Sequence, residues 1–194
     1  MTSTTIEIRR SVPTMRALVL DNSLRLGQLP RPVPNTGEAL IRMRSCGISR
    51  ADLDMVQGRA PVQVRPVVLG HQFVGEVTEV AEESASDWVG KRVVARTHLG
   101  CGRCVSCLEH RAWLCETGRA NGLGMGLIDG AFAEWLTVPV RALVEVPDTV
   151  DDDEAVFVHP VALAREAVAL VEGPPPQRVL VVGDGNMGLL LTLM

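Results

Sequence analysis

Four cysteines carry the clearest chemistry in this sequence. Cys101, Cys104, Cys107 and Cys115 form a C-x2-C-x2-C-x7-C run. Four thiolates at that spacing fit one tetrahedral zinc and close its coordination sphere, so such a site would staple a loop and not catalyse. Disulfide pairing is the rival reading. The fifth cysteine, Cys46, has no sequence neighbour, which favours a reducing compartment and hence metal. A second pattern is Gly183-Asp-Gly-Asn-Met-Gly188, between the apolar runs 178–182 and 189–194. G-x-G-x-x-G after a strand and before a helix offers bare backbone and a helix N-terminus to a pyrophosphate. Gly183, Gly185 and Gly188 are then the cofactor-binding positions. The alternative is a glycine-rich tight turn.

The elements that must position these groups fall in two parts. From Met15 to about Pro147, short β-prone runs alternate with Gly and Pro. Strands are expected at 15–20, 39–44, 73–80, 92–95, 132–138 and 142–146, a pattern that suggests a small barrel or sandwich. After Pro147, Asp151-Asp-Asp-Glu154 reads as the acidic opening of a helix, where the macrodipole favours negative charge. A second helix is expected from Pro160, placed at its first position, to about Val171. Gly173-Pro-Pro-Pro-Gln177 reads as a stiff linker, followed by a buried strand over 178–182. A full βαβ unit needs roughly 30 residues and an acidic ribose-binding residue ~20 positions further on. Within these 194 residues the nucleotide site is therefore expected to be opened and not completed.

Composition excludes some partners. The 19 basic residues comprise Lys91 and 18 scattered arginines, against 23 acidic ones, for a net charge of −4. No basic patch for nucleic acid or an anionic membrane results. No apolar run reaches the ~18 residues of a membrane span, and 1–14 lacks the apolar stretch of a secretory signal. The expectation is a cytoplasmic protein with a flexible tail at 1–14. His98 and His110, beside an already satisfied cysteine quartet, are expected at the surface. Trp88, Trp113 and Trp135 are expected to be packing anchors, since no basic groove accompanies them.

The ordered motifs resemble the medium-chain, zinc-containing alcohol dehydrogenase family. They are Gly37-Glu-Ala-Leu40, Gly47-Ile-x-x-x-Asp52, Gly70-His71, Phe73-x-Gly-Glu-Val77, Gly90-x-Arg-Val93, the cysteine quartet, Gly130-Ala-Phe-Ala-Glu134 and the glycine turn ending at Gly188. The resemblance runs from Met15 to Met194. It implies a mainly β fold with some α: a GroES-like catalytic barrel over 15–150 with a zinc lobe, connecting helices and linker over 151–177, and the start of a Rossmann-type dinucleotide domain over 178–194. It also implies NAD(P)-dependent oxidation of an alcohol, polyol or sugar hydroxyl, with NAD or NADP as cofactor.

Family members hold a second, catalytic zinc, and here the sequence departs from the pattern. Ser49 stands where the family carries a cysteine ligand, with Cys46 three residues earlier. His71 matches the second ligand, Gln72 replaces the usual acidic neighbour, and His159-Pro160 stands where some members have Glu-Pro. Ala51 occupies the position of the hydroxyl that relays the substrate proton. Asp52 would orient His71 as a carboxylate behind the ligand. Serine is not among zinc's usual ligands. The candidate catalytic set is thus His71, His159, Asp52 and Ser49. It is either a two-histidine metal site, with or without Cys46, or a vestigial pocket. On these grounds the isolated chain is expected to lack turnover of its own. The alternative is a non-catalytic zinc-stapled barrel, a pseudoenzyme or gene fragment, acting through association as a homo-oligomer or with a complementing chain. A zinc-independent reductase of the same superfamily is a third reading, opposed by the intact quartet.

Overall fold

The computed structural model describes residues 12–62, 64–116, 122–171 and 178–194. Most of the expected tail and the whole expected linker at 173–177 lie outside the described residues.

Among the described residues, eight strands form two sheets. Strands β1 (Thr14–Leu20), β2 (Leu24–Pro30) and β4 (Val67–Val68) make a three-stranded sheet in the order β2-β1-β4. Strands β3 (Glu38–Gly47), β5 (Gln72–Val80), β6 (Arg92–Ala95), β7 (Trp135–Pro139) and β8 (Leu143–Glu145) make a five-stranded one, β7-β3-β5-β6-β8. The pairings are antiparallel throughout. Alternation explains β1: Met15, Ala17 and Val19 are buried while Thr14, Arg16 and Leu18 are exposed, as a strand with one wet face requires. The ladders do not close into the expected barrel. The two sheets are joined instead through the segment before β7, by an Ala17–Ala133 bridge and a 2.8 Å bond from Leu18 N–H to the Phe132 carbonyl.

The main core lies on the inner face of the larger sheet, where Ile41, Phe73, Val77, Val93, Leu136 and Val138 meet Leu123 and Ala131. A smaller core of Leu20, Val67, Leu69 and Met55 seats helix α1 (Arg50–Val56) beside the turn after β4. Burying a side chain the size of Met55 contributes about 2 kcal/mol, and that anchors the short helix which carries Asp52. A third core of Val74, Val94, Val146, Ala155 and Val156 docks α3 (Asp152–Ala155) on the sheet. The short α2 (Val105–Leu108) lies in the cysteine segment.

Two sequence expectations need correction besides barrel closure. Helix α4 spans Val158–Ala169, two residues earlier than expected, so Pro160 is its third residue. The first turn's N–H groups have no intrahelical acceptor, so proline there breaks no bond. Helix α5 (Asn186–Leu193) begins as the glycine turn suggested, but 178–182 forms no strand and Val179, Leu180 and Val182 are exposed by 73–89%. A buried strand needs neighbours to pair with, and the described residues supply none. Strands β2 and β4 and helix α1 were not anticipated.

Candidate functional site

Gly70 and His71 follow β4 and lead into β5, and the backbone around them is packed without side chains. Gly70 has φ +95°, and a Cβ there would lie 2.7 Å from the Phe132 ring. A Cβ on Gly124 or Gly130 would meet the Gly70 carbonyl oxygen at 2.6 and 2.3 Å. Three glycines thus let two loops close on this turn, and Ala131 N–H donates to the Gly70 carbonyl at 2.8 Å. The result is that His71 is only 4% exposed.

Asp52 reaches the same place from α1. Ser49 caps that helix: its Oγ accepts from Asp52 N–H at 3.3 Å while Asp52 Oδ2 accepts from Ser49 N–H at 2.7 Å. This is a reciprocal capping box. Ser49 Oγ–H also donates to Oδ2 at 2.5 Å, and Gly70 N–H donates to Oδ1 at 3.2 Å. His71 Nδ1 lies 3.7 Å from Oδ1, beyond hydrogen-bond length, and is a buried nitrogen with no hydrogen-bond partner. Burial pushes the Asp52 carboxyl up, but the His71 imidazole and the Ser49 donors outweigh it and hold it below the ordinary carboxylate value. Asp52 is therefore an anion at neutral pH, 2% exposed.

His159, near the start of α4, faces His71 edge to face, with ring centroids 5.4 Å apart at 87°. Its helix is brought in by a close approach: a Cβ on Gly47 would lie 2.6 Å from Val156. It is clamped by Asp152, whose carboxylate takes Arg44 Nε at 2.7 Å and an Arg92 terminal nitrogen at 2.9 Å. Burial, followed by the His71 and His98 charges, pushes the His159 imidazole down to about 4. His98 is exposed, as expected, and so is His110. Yet the His98 ring is desolvated enough, with His71 near it, to sit below the ordinary imidazole value. Cys46 is half-buried at the end of β3. Burial and then the Asp52 charge push its thiol up to about 12, so it is a protonated, unreactive group.

The structure thus gathers all four candidate residues, Ser49, Asp52, His71 and His159, in one place. It does not give them the geometry of a catalytic zinc site. Zinc needs three protein ligands with an open fourth position. Ser49 is committed to its helix cap and Asp52 to three donors, which leaves two imidazoles. Among the described residues, the cysteine quartet is the one group of three or more His, Cys, Asp or Glu whose ligand atoms converge closely enough for a metal.

That quartet fits zinc well. The four Sγ atoms lie within 4.8 Å of one another, with Cys101–Cys107 at 4.0 Å and Cys104–Cys115 at 3.9 Å. Tetrahedral Zn–S bonds of about 2.3 Å place sulfurs ~3.8 Å apart, whereas a disulfide needs about 2.05 Å. Backbone N–H groups point at sulfur, Cys104 to Cys101 and Cys101 to Cys115, both at 3.4 Å. Gly100 has no room for a side chain, since a Cβ would lie 2.5 Å from Cys107 Sγ. Arg141 donates to the Gly100 carbonyl at 2.8 Å and ties the lobe to the body.

The glycine motif at 183–188 keeps its turn. Gly183 has φ +120°, Gly185 is the N-cap of α5, and a Cβ on Gly188 would lie 2.0 Å from the Gly183 carbonyl oxygen. That contact is the close turn-to-helix packing which the last glycine of the fingerprint permits. The backbone therefore fits a pyrophosphate-binding turn. Of the tryptophans, Trp88 packs on the main core and Trp135 lies under the Arg31 guanidinium at 3.7 Å; the Trp113 side chain is outside what is described. Sequence reasoning missed the roles of Arg44, Arg92, Asp152 and Arg141. It also treated Ser49 as a failed ligand, although Ser-x-x-Asp before a short apolar run is itself a helix-start signal.

This arrangement, two antiparallel sheets with a four-cysteine lobe and a histidine pair behind a capped helix, has relatives. Residues 35–148 match the alcohol dehydrogenase GroES-like domain family, and the chain belongs to it, within the medium-chain alcohol dehydrogenases. L-threonine 3-dehydrogenase of Streptomyces coelicolor is 36% identical over 182 residues, and L-galactonate-5-dehydrogenase of Escherichia coli K12 is 33% identical over 178. Both alignments cover 91% of this chain and 51–52% of the relative. The chain spans about half the length of the curated relatives it matches. In structure it superposes on an alcohol dehydrogenase of Escherichia coli CFT073 solved with NADH, with TM-score 0.82 and 29% identity over 92% of this chain and 52% of the other. A zinc-binding dehydrogenase of Sinorhizobium meliloti 1021 solved with NADP gives TM-score 0.77 at 30% identity, over the same shares. No helix among the described residues is long and apolar enough to cross a membrane.

Proposed function

We propose that this chain supplies the substrate-side part of an NAD(P)-dependent dehydrogenase acting on the hydroxyl of a small alcohol, polyol or sugar, in the cytoplasm. In this reading 15–150 is the catalytic domain, 151–177 the connection, and 178–194 the opening of the nucleotide domain. The observation that carries it is the pocket itself: an ionised Asp52 behind His71, faced by a neutral His159, inside the family's domain. His71, with Asp52 Oδ1 3.7 Å behind its Nδ1, is the imidazole placed to take a proton from a substrate hydroxyl. His159, kept uncharged by burial, offers a lone pair or an N–H to position that oxygen. NAD(P), when bound, would supply hydride transfer; Gly183, Gly185 and Gly188 would hold its pyrophosphate. The cysteine lobe would hold one structural zinc and take no part in the chemistry.

A second reading is favoured by one observation, the commitment of Ser49 to a helix cap. The chain would then be a zinc-stapled domain without turnover. NAD(P)H formation by the purified protein on a panel of alcohols, polyols and sugars separates the two. Turnover abolished by His71→Ala supports the dehydrogenase reading, and turnover indifferent to that change removes it. A folded, zinc-loaded protein that turns over none of the panel supports the second.

A further inference from the structure

We propose that Ser49 sets the metal content of this protein: its hydroxyl keeps the reactive pocket free of metal, so the chain holds a single zinc, in the cysteine lobe. The argument begins with what each oxygen and nitrogen in the pocket is doing. A serine hydroxyl carries one proton and two lone pairs. The Ser49 proton goes to Asp52 Oδ2 at 2.5 Å and a lone pair receives the Asp52 N–H at 3.3 Å. Offering the remaining lone pair to zinc would put a neutral oxygen where a thiolate, imidazole or carboxylate is wanted. Losing the proton to become an alkoxide would set two anions 2.5 Å apart in a site where both residues are under 10% exposed, which a low-dielectric interior disfavours.

Asp52 is equally engaged. Its Oδ2 takes two donors from Ser49 and its Oδ1 takes Gly70 N–H. A carboxylate behind a ligating histidine normally accepts that ring's other N–H and so fixes the nitrogen aimed at the metal. Here the separation is 3.7 Å and His71 Nδ1 has no hydrogen-bond partner. The same hydroxyl that fails as a ligand therefore also binds the carboxylate that would steady one. The remaining donors are His71 and His159, since Cys46 does not converge with them into a group of three ligand atoms among the described residues. Two imidazoles fall short of zinc's three-ligand minimum. Replacing Ser49 by cysteine would correct both defects, because a thiolate is a zinc ligand and a cysteine is a poor hydrogen-bond donor to Asp52.

The inference concerns the pocket proposed above as the reactive one, but its test needs no turnover. A failed activity assay would leave the zinc count standing, and a failed zinc count would leave the dehydrogenase reading open. Elemental analysis of purified protein grown with zinc should give one zinc per chain. That count should be unchanged in His71→Ala and lost in Cys107→Ser, and should rise to two in Ser49→Cys. Two zincs in the unmodified protein, one of them lost in His71→Ala, would overturn the proposal. So would a folded Ser49→Cys protein that stays at one. If Ser49→Cys does not fold, cobalt(II) titration of the unmodified protein decides in its place. One equivalent with a thiolate-only spectrum supports the proposal. A second tight equivalent with imidazole-type bands, missing in His71→Ala, overturns it.

Discussion

Asp52 is where the residue-scale physics concentrates, because one buried carboxylate serves a helix cap, a turn and a histidine at once. Its folded pKa lies below the ordinary value, so its contribution to stability is present above about pH 3.9 and is lost as acid drives it through the folded value. Asp52→Asn removes that contribution and leaves Ser49 and Gly70 with a weaker acceptor; we expect a loss of roughly 1–3 kcal/mol in urea denaturation at pH 7, narrowing at pH 3. His159 behaves in a parallel way for the opposite chemical reason. It is neutral when folded, and its pKa falls from 6.5 to about 4, so the unfolded chain takes up the proton first. Stability should be flat above pH 6.5 and fall between there and about pH 4, by up to ~3 kcal/mol. His159→Gln should flatten that window, measured by denaturation midpoints across it; an unchanged slope would mean the ring is not buried as described. The residues themselves were all legible in the sequence. Their engagement was not, because a motif position read for its ligand value hides its backbone role, and the Ser-x-x-Asp cap signal at Ser49 was passed over for that reason.

At the scale of elements, the sequence announced strands where apolar and polar residues alternate, as in β3 and β5, or where a β-prone apolar run ends in a turn, as in β1, and missed those lacking either pattern. Strand β2 contains Gly27 and Pro30 and buries none of its seven residues, while β4 is two residues long. The apolar run at 178–182 misled in the other direction, since composition promises burial only if something is there to bury against. The element that matters most for the pocket is α3, since it delivers α4 and His159. It is held by a capping box, Asp151 with Glu154, and by the Asp152 clamp to Arg44 and Arg92. These ion pairs are partly exposed, so their direct worth is about 1 kcal/mol or less. Asp152→Ala should therefore lower the melting temperature little while clearly speeding amide hydrogen exchange over 152–160. Equal exchange in the variant and the parent would show that apolar packing of Val156 alone seats the helix. In the glycine turn, Gly188→Ala puts a methyl where a carbonyl oxygen already sits. It should unseat α5, read as lost exchange protection from 186 to 193.

For the whole molecule, stability is divided between two sheets with shared cores and one lobe that the cores do not reach. Within α2 no residue is buried, and Val105 and Leu108 are 60% and 66% exposed. A zinc at the quartet would therefore hold the lobe, together with the Arg141 anchor. Chelation, or Cys107→Ser, should release 100–116 to rapid exchange and proteolysis while the sheets keep their circular dichroism signal. Simultaneous loss of both would mean that the lobe is part of the folding core. Such a division follows from cysteine spacing that was plain in the sequence, whereas the two-sheet arrangement was not. Barrel closure depends on strand register, and the β3–β5 pair shifts register twice, at Leu40/Ile41, where no Gly or Pro signals it, and at Met43/Ser45, opposite Gly75.

The glycine contacts around Gly70 have a consequence for anyone seeking to redesign this pocket. Its floor is main chain, with Gly124 and Gly130 pressed against the Gly70 carbonyl. Main chain cannot be re-specified by choosing another side chain. The shape available to a ligand can be varied only from the walls that α1 and α4 present. A library diversified at Ser49 and His159 would sample function, and one diversified at 70, 124 or 130 would sample mostly misfolded protein.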